Sequence, residues 1–193
     1  MTEPIQIPTA LDSSQEGVLK ASSSTYLEPT DVLRLYLSSL TGIDKTLVRK
    51  RWQIRPGIQP DVDTDWASVG ILEMRTEGFP YQAELKNPDV VRATSWQILY
   101  CVASFYGPRA AELADDFREG CHIPQNQRTL KAYGLVLRSC DDAALHVPDF
   151  ALEQWIDRYD VRFSIGRSVT RDYGVRSIVK VGEIDLITEK GKA

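Results

Sequence analysis

The chain has 193 residues, of which 42% are hydrophobic, so it is long and apolar enough for one domain with a real core plus extensions. Its formal net charge of −4 does not favour wrapping nucleic acid, which needs a concentrated basic surface. No apolar run reaches the roughly 18 residues of a bilayer crossing, residues 1–15 lack the basic region and apolar core of a signal peptide, and the widely spaced Cys101, Cys121 and Cys140 fit reduced thiols better than a disulfide framework.

Residues 1–27 read as an extended N-terminal arm. They hold Pro4, Pro8, the run Ser22-Ser23-Ser24 and scattered apolar residues Ile5, Ile7, Leu11, Val18 and Leu19. No period of 2 or 3.6 is sustained there. Residues 28–193 form the predicted domain. A helix is predicted from Thr30 or Asp31 to Leu40, with Glu28, Thr30 and Asp31 at its start. Val32, Leu35, Tyr36 and Leu40 share one side of it, and Gly42 marks its end.

Trp52 and Ile54 predict a short strand, broken by Pro56-Gly57 and Pro60. The acidic loop Asp61-Val62-Asp63-Thr64-Asp65 follows, then a strand over Trp66–Arg75. Gly78-Phe79-Pro80 is a turn signal, and Tyr81–Leu85 is a short strand or an extended loop. A long strand is predicted over Val90–Phe105, with Trp96, Ile98, Tyr100 and Val102 alternating as its buried face. Gly107-Pro108 stops it. Ala110, Leu113, Ala114 and Phe117 then form an apolar helical stripe, and Gly120 is placed to end that helix in a left-handed cap. Burying Leu113 and Phe117 contributes roughly 1.5–3 kcal/mol each.

A helical turn near Arg128–Ala132 and a strand through Leu135, Val136 and Leu137 come next, followed by a loop at Pro148-Asp149. Trp155–Val169 is the cleanest alternation, with Tyr159, Val161, Phe163 and Ile165 on one side and Asp160, Arg162 and Ser164 on the other. Asp172-Tyr173-Gly174 reads as a reversal, and Val175–Ile187 as the returning partner strand. The pattern is α+β: a mainly antiparallel β-sheet with helices packed on one face, plus the arm.

The residues offer little catalysis. His122 and His146 lack metal-ligand spacing, and Cys121 with His146 has no nucleophile turn around it. Asp115-Asp116 and Asp141-Asp142 are adjacent pairs; neighbouring helical residues diverge by about 100°, so they read as a solvated face. Asp61, Asp63 and Asp65 have the spacing of calcium ligands, but Trp66 stands where a calcium loop needs glycine. No phosphate-binding glycine loop occurs. Arg49-Lys50-Arg51 beside Trp52 reads as an interface or a solvated edge. These readings predict no catalytic residue, cofactor or metal.

Four stretches carry a resemblance: "VLRLYLSSLTGI", "VRKRWQIRPGIQPDVDTDWASVGI", "SFYGPRAAELADDFREGCHIPQNQRTLKAYGL" and "WIDRYDVRFSIGRSVTRDYGVRSI". Together they cover most of residues 28–188 and resemble the phage neck or tail-terminator family of head–tail connector proteins. The Phe105-Tyr106-Gly107-Pro108 turn, the Gln125-Asn126 pair and the Arg158-Tyr159-Asp160-Val161 strand are the most family-like features. The resemblance implies a structural virion protein assembled in the host bacterial cytoplasm. It implies an oligomeric ring, often a hexamer, that terminates the tail and joins it to the head. The implied partners are further copies of the chain, tail tube or sheath proteins, and head-side connector or portal-adaptor proteins. Genomic DNA would pass through without specific binding, and no membrane is involved.

A ring needs a head-to-tail interface that closes, and exposed sheet edges suit such contacts. Ile5, Ile7 and Leu11 of the arm are the expected partner-binding residues. Asp61, Asp63 and Asp65 are the expected lumen-facing acidic loop. The alternatives are a tail tube or baseplate subunit and, after those, a small hydrolase.

Overall fold

The computed structural model describes residues 8–55, 57–151 and 153–175. In chain order these form β1 (Thr9–Ala10), β2 (Val18–Leu19), β3 (Ser23–Ser24), α1 (Thr30–Thr41), β4 (Val48–Lys50), β5 (Trp66–Glu84), β6 (Val90–Tyr106), α2 (Ala110–His122), α3 (Pro124–Ala132), β7 (Leu135–Cys140), β8 (Leu145–His146), β9 (Asp149–Ala151), β10 (Gln154–Ile156) and β11 (Arg158–Gly174). The fold is α+β, as the residue pattern predicts. Within the described residues it divides into a larger unit, 25–81 with 94–170, and a smaller one, 8–24 with 82–93 and 171–175.

The sheet of the larger unit runs in the order β11, β6, β5, β4, with β7 and β8 also pairing antiparallel to β11. β5 and β6 are joined by residues 85–89, a connection too short for any but an antiparallel pair. β4 lies parallel to β5, with Val48 opposite Ala67 and Lys50 opposite Val69. All three helices feed one core. Leu33, Tyr36 and Leu37 of α1, Leu113, Ala114, Phe117 and Cys121 of α2, and Leu130 of α3 meet Leu99, Cys101, Ala103 and Phe105 of β6 and Val161, Phe163 and Ile165 of β11. Phe117 sits at the centre, its ring 5.7 Å from that of Phe105 and 5.4 Å from that of Phe163.

α1 ends where glycine predicts. Gly42 takes φ 73°, and its N–H donates to the Ser38 carbonyl. Its buried stripe differs from the expected one, because Leu33, Tyr36 and Leu37 point inward while Leu35 is exposed. At the start of the helix the Glu28 carboxylate accepts from the Thr30 N–H at 3.2 Å.

α2 buries the predicted stripe of Ala110, Leu113, Ala114 and Phe117 but runs on to His122. Gly120 is therefore an interior helical residue and not a cap. A Cβ built on Gly120 would come within 3.0 Å of Leu40 Cδ2, so the position serves the close approach of α1 to α2. The helix stops because Pro124 begins α3, leaving Ile123 extended.

The strands differ from expectation in four places. The strand expected at Trp52 and Ile54 lies earlier, at Val48–Lys50, and both aromatic and aliphatic side chains are exposed beyond it. Gly78-Phe79-Pro80 does not turn; β5 continues through it to Glu84, with Gly78 at φ 67°. Among the described residues β4 pairs with β5 only from Ala67 to Val69, so Pro80, which has no N–H to give a ladder, lies beyond that pairing. In β6 the helix-facing residues are Leu99, Cys101, Ala103 and Phe105, one register from the predicted Trp96, Ile98, Tyr100 and Val102. Asp172-Tyr173-Gly174 is the end of β11 and not a reversal; the predicted return strand lies outside the described residues beyond Val175. The alternation of Val161, Phe163 and Ile165 is as predicted, and all three are buried.

The last residues of β6 are buried on both faces. Val102, Ser104 and Tyr106 point away from the helices and are still covered. The chain leaving β4 supplies this cover: Arg51 donates to Ser104 Oγ, and Trp52 crosses the sheet over Gly70. A Cβ on Gly70 would lie 2.6 Å from Trp52 Cζ3 and 2.8 Å from Arg51 Cβ. Only glycine leaves room for that crossing.

In the smaller unit β1 pairs parallel with β2, and β3 pairs antiparallel with the end of β11. Asp172 is its hub. Arg92 donates to it twice, at 2.7 and 2.9 Å, and Ser23 Oγ donates at 3.1 Å. The Asp172 carboxyl is held below its ordinary range chiefly by the hydrogen bond from Arg92.

Two substitutions report on this packing. Phe117→Ala should cost about 3–5 kcal/mol in urea unfolding, because the aromatic trio loses its middle ring. Gly70→Ala should cost about 1–3 kcal/mol by overpacking. It should also shift the intrinsic tryptophan emission as Trp52 is displaced; unchanged emission and stability would show that Trp52 does not cross there.

Candidate interaction surface

On the sheet face opposite the helices, cations and aromatic rings stack in a row. Arg49 of β4 lies over the Trp66 ring, 5.7 Å from its centroid. Trp66 at the start of β5 stacks on Tyr106 at the end of β6, with centroids 3.9 Å apart and planes within 2°. Arg158 at the start of β11 lies over Tyr106 at 5.8 Å. Each cation faces the electron-rich face of a ring, an attraction of about 0.5–2 kcal/mol per pair.

A polar network fixes the row from beneath. Arg158 grips Asp160 with two bonds, Nε to Oδ1 at 2.9 Å and Nη2 to Oδ2 at 2.6 Å, and also lies 3.5 Å from Asp149. Arg51 stands 4.0 Å from Asp160 and donates to Ser104. Burial alone would raise the Asp160 carboxyl; the hydrogen bonds from Arg158 and Ser104 and the charges of Arg158 and Arg51 bring it below its ordinary value. Asp160 is thus a fixed anion that orients Arg158, with no proton to give at neutral pH.

Above the network lies an open cleft of about 630 Å³, lined by Arg49, Arg51, Trp52, Trp66, Ser68 and Tyr106 among others, with Asp149 as its one acid. The Ser68 hydroxyl is buried and has no hydrogen-bond partner among the described residues. Beyond the cleft, the segment leaving β4 exposes Trp52 (61%), Ile54 (102%) and Ile58 (93%). The cleft thus sets guanidinium groups and aromatic rings side by side on one open surface.

The residues singled out from sequence are distributed as follows. Ile5 and Ile7 lie outside the described residues, and Leu11 is exposed at 72%. Asp61 and Asp63 are exposed, whereas Asp65 turns inward and accepts from the Arg109 N–H at 2.9 Å, tying the acidic loop to the start of α2. Cys121 and His146 are not brought together. Cys121 is sealed in the core, where Cys140 and burial push its thiol far up; His146 is exposed, 3.1 Å from Asp157 and stacked on Tyr159. Asp115 pairs with Arg118 on the solvated face of α2. Among the described residues no three His, Cys, Asp or Glu side chains gather as a metal site.

The Arg49-Lys50-Arg51-Trp52 run was visible in sequence as basic and aromatic. Its partners Trp66, Ser68, Tyr106 and Arg158 were not, because they come from three other strands. Gly70, a lone glycine within a strand pattern, was the available sign that another chain segment passes close.

The comparison with known families bears on this surface. A family model described as phage neck terminator protein matches residues 30–191, which include every residue of the cleft. No curated protein matches the chain. By that match across most of its length, the chain belongs to the phage neck terminator family, structural proteins of the bacteriophage virion.

Proposed function

We infer that this neck terminator forms an oligomeric ring, a hexamer by resemblance, that ends the tail and joins it to the head-side connector. The family match over residues 30–191 is the observation that carries this reading. The surface chemistry supports it: the cleft offers cations and aromatic rings for docking, and exposed apolar residues rim it. Tail tube or sheath proteins contact one side of the ring, and connector or portal-adaptor proteins the other. The subunits assemble in the host cytoplasm, and the genome passes through the lumen without specific contacts. Asp61 and Asp63 line that lumen, with Asp65 anchoring their loop to α2 through Arg109.

In this reading residues 1–27 are an arm that reaches a neighbour, and 28–193 are the body of the subunit. The arm touches its partner through Ile5, Ile7 and Leu11. A deletion would also remove the Ser23 contact to Asp172, so substitution is the cleaner test. The triple change Ile5→Asp, Ile7→Asp, Leu11→Asp should leave the circular dichroism and melting curve unchanged. Joining of purified heads to tails, read as infectious titre, should fall by at least about tenfold, the equivalent of one lost apolar contact. A normal titre would remove the arm from the joint. Mass photometry of the wild-type chain and of isolated tails tests the ring itself: closed oligomers support it, and a single subunit per tail end rules it out.

A further inference from the structure

Residues 45–55 carry Lys45, Arg49, Lys50, Arg51 and Arg55 and no acid. α2 has the opposite character, exposing Glu112, Asp115, Asp116 and Glu119, with Asp141 and Asp142 following β7. Both surfaces belong to the larger unit. α1 packs against β4 and against α2, yet among the described residues no salt bridge joins the two charged surfaces. Each is only partly neutralised where it stands. Lys50 is bound to Asp31 at 3.0 Å, Glu112 to Arg109 at 2.8 Å, and Asp115 to Arg118. Arg49, Arg55, Asp116 and Glu119 form no salt bridge among the described residues.

The cleft beside Arg49 has a polar floor. Ser68 is 4% exposed, lines the cleft and donates to nothing among the described residues. The apolar rim of Trp52, Ile54 and Ile58 suits a protein surface, which excludes water there; duplex DNA would leave those side chains wet.

We propose that this basic, aromatic surface receives the acidic face of α2 from a second copy of the chain, with Asp116 and Glu119 meeting Arg49, which lines the cleft, and Arg55, which lines the pocket adjoining it. The cleft is then one half of a head-to-tail interface and α2 the other, so each subunit uses both at once. The proposal rests on the ring reading above and names the surfaces that close the ring.

Sedimentation equilibrium of the full chain tests it with two double variants. Arg49→Glu with Arg55→Glu reverses the charge of the two guanidinium positions on the basic surface, and Asp116→Lys with Glu119→Lys makes α2 basic. Each alone should raise the dissociation constant for self-association roughly 100-fold, since like charges then face each other. An equimolar mixture of the two should restore assembly, because reversed surfaces pair with reversed ones and native with native. Only rings with an even number of subunits can alternate in this way. Circular dichroism checks that each variant is folded. Undiminished assembly of either variant, or no rescue on mixing, overturns this interface and leaves the ring standing. A wild-type chain that stays monomeric at millimolar concentration overturns this interface, whereas the number of subunits on isolated tails decides the ring. Saturable quenching of tryptophan emission by duplex DNA, lost in the Arg49→Glu, Arg55→Glu variant, overturns the proposal in favour of nucleic acid.

Discussion

The structure depends on burying the end of β6 from both sides. One side is ordinary: Leu99, Cys101, Ala103 and Phe105 meet three helices in a single core. On the other, among the described residues, the chain itself returns across the sheet as cover in place of a helix. Arg51 and Trp52 lie over Ser104 and Gly70, and Trp66 stacks on Tyr106. Sheet faces that carry Val102, Ser104 and Tyr106 cannot be left half-covered without stranding polar atoms or wetting apolar ones. The covering segment is therefore held by the same burial that stabilises the strand. The binding surface is a by-product of that solution, since a covering segment rich in arginine and tryptophan shows its unused side to solvent.

Charge is distributed more unevenly than the net value of −4 conveys. A sum over the chain cancels the basic stretch around β4 against the acidic face of α2. The separate patches determine how a surface attracts, repels or steers its neighbours. Asp160 shows the same economy at smaller scale. It is nearly enclosed and bonded twice to Arg158, and so it holds the ladder of rings and guanidinium groups in place while adding no free charge to the cleft.

Much of this was legible in the residues. The existence of α1, the buried stripe of α2 and the alternation of β11 each follow from one period, α1 ends at Gly42 as expected, and α2 ends ahead of Pro124. The errors share a physical cause. In β6 both faces are apolar near the end, so period 2 indicates a strand without choosing its buried side, and the bulk of Trp96 and Tyr100 pointed to the wrong one. Gly78 and Pro80 carry turn chemistry, but both lie past the stretch of β5 that β4 pairs among the described residues, where a strand tolerates them. Gly120 matched a cap by position, though the packing of Leu40 is what requires it. The cleft was the least legible part. Arg49, Trp66, Tyr106 and Arg158 lie far apart in the chain, and only strand order makes them adjacent.

The outer edge of the sheet at β4 has an implication for how such subunits can combine. Its two outward carbonyls are already occupied: Val48 accepts from Arg34 Nε at 2.7 Å, and Lys50 accepts from Gln53 Nε2 at 3.1 Å. A foreign strand finds these two acceptors already taken, which disfavours a backbone ladder against β4. A neighbour that meets β4 therefore finds side chains and not a row of waiting carbonyls.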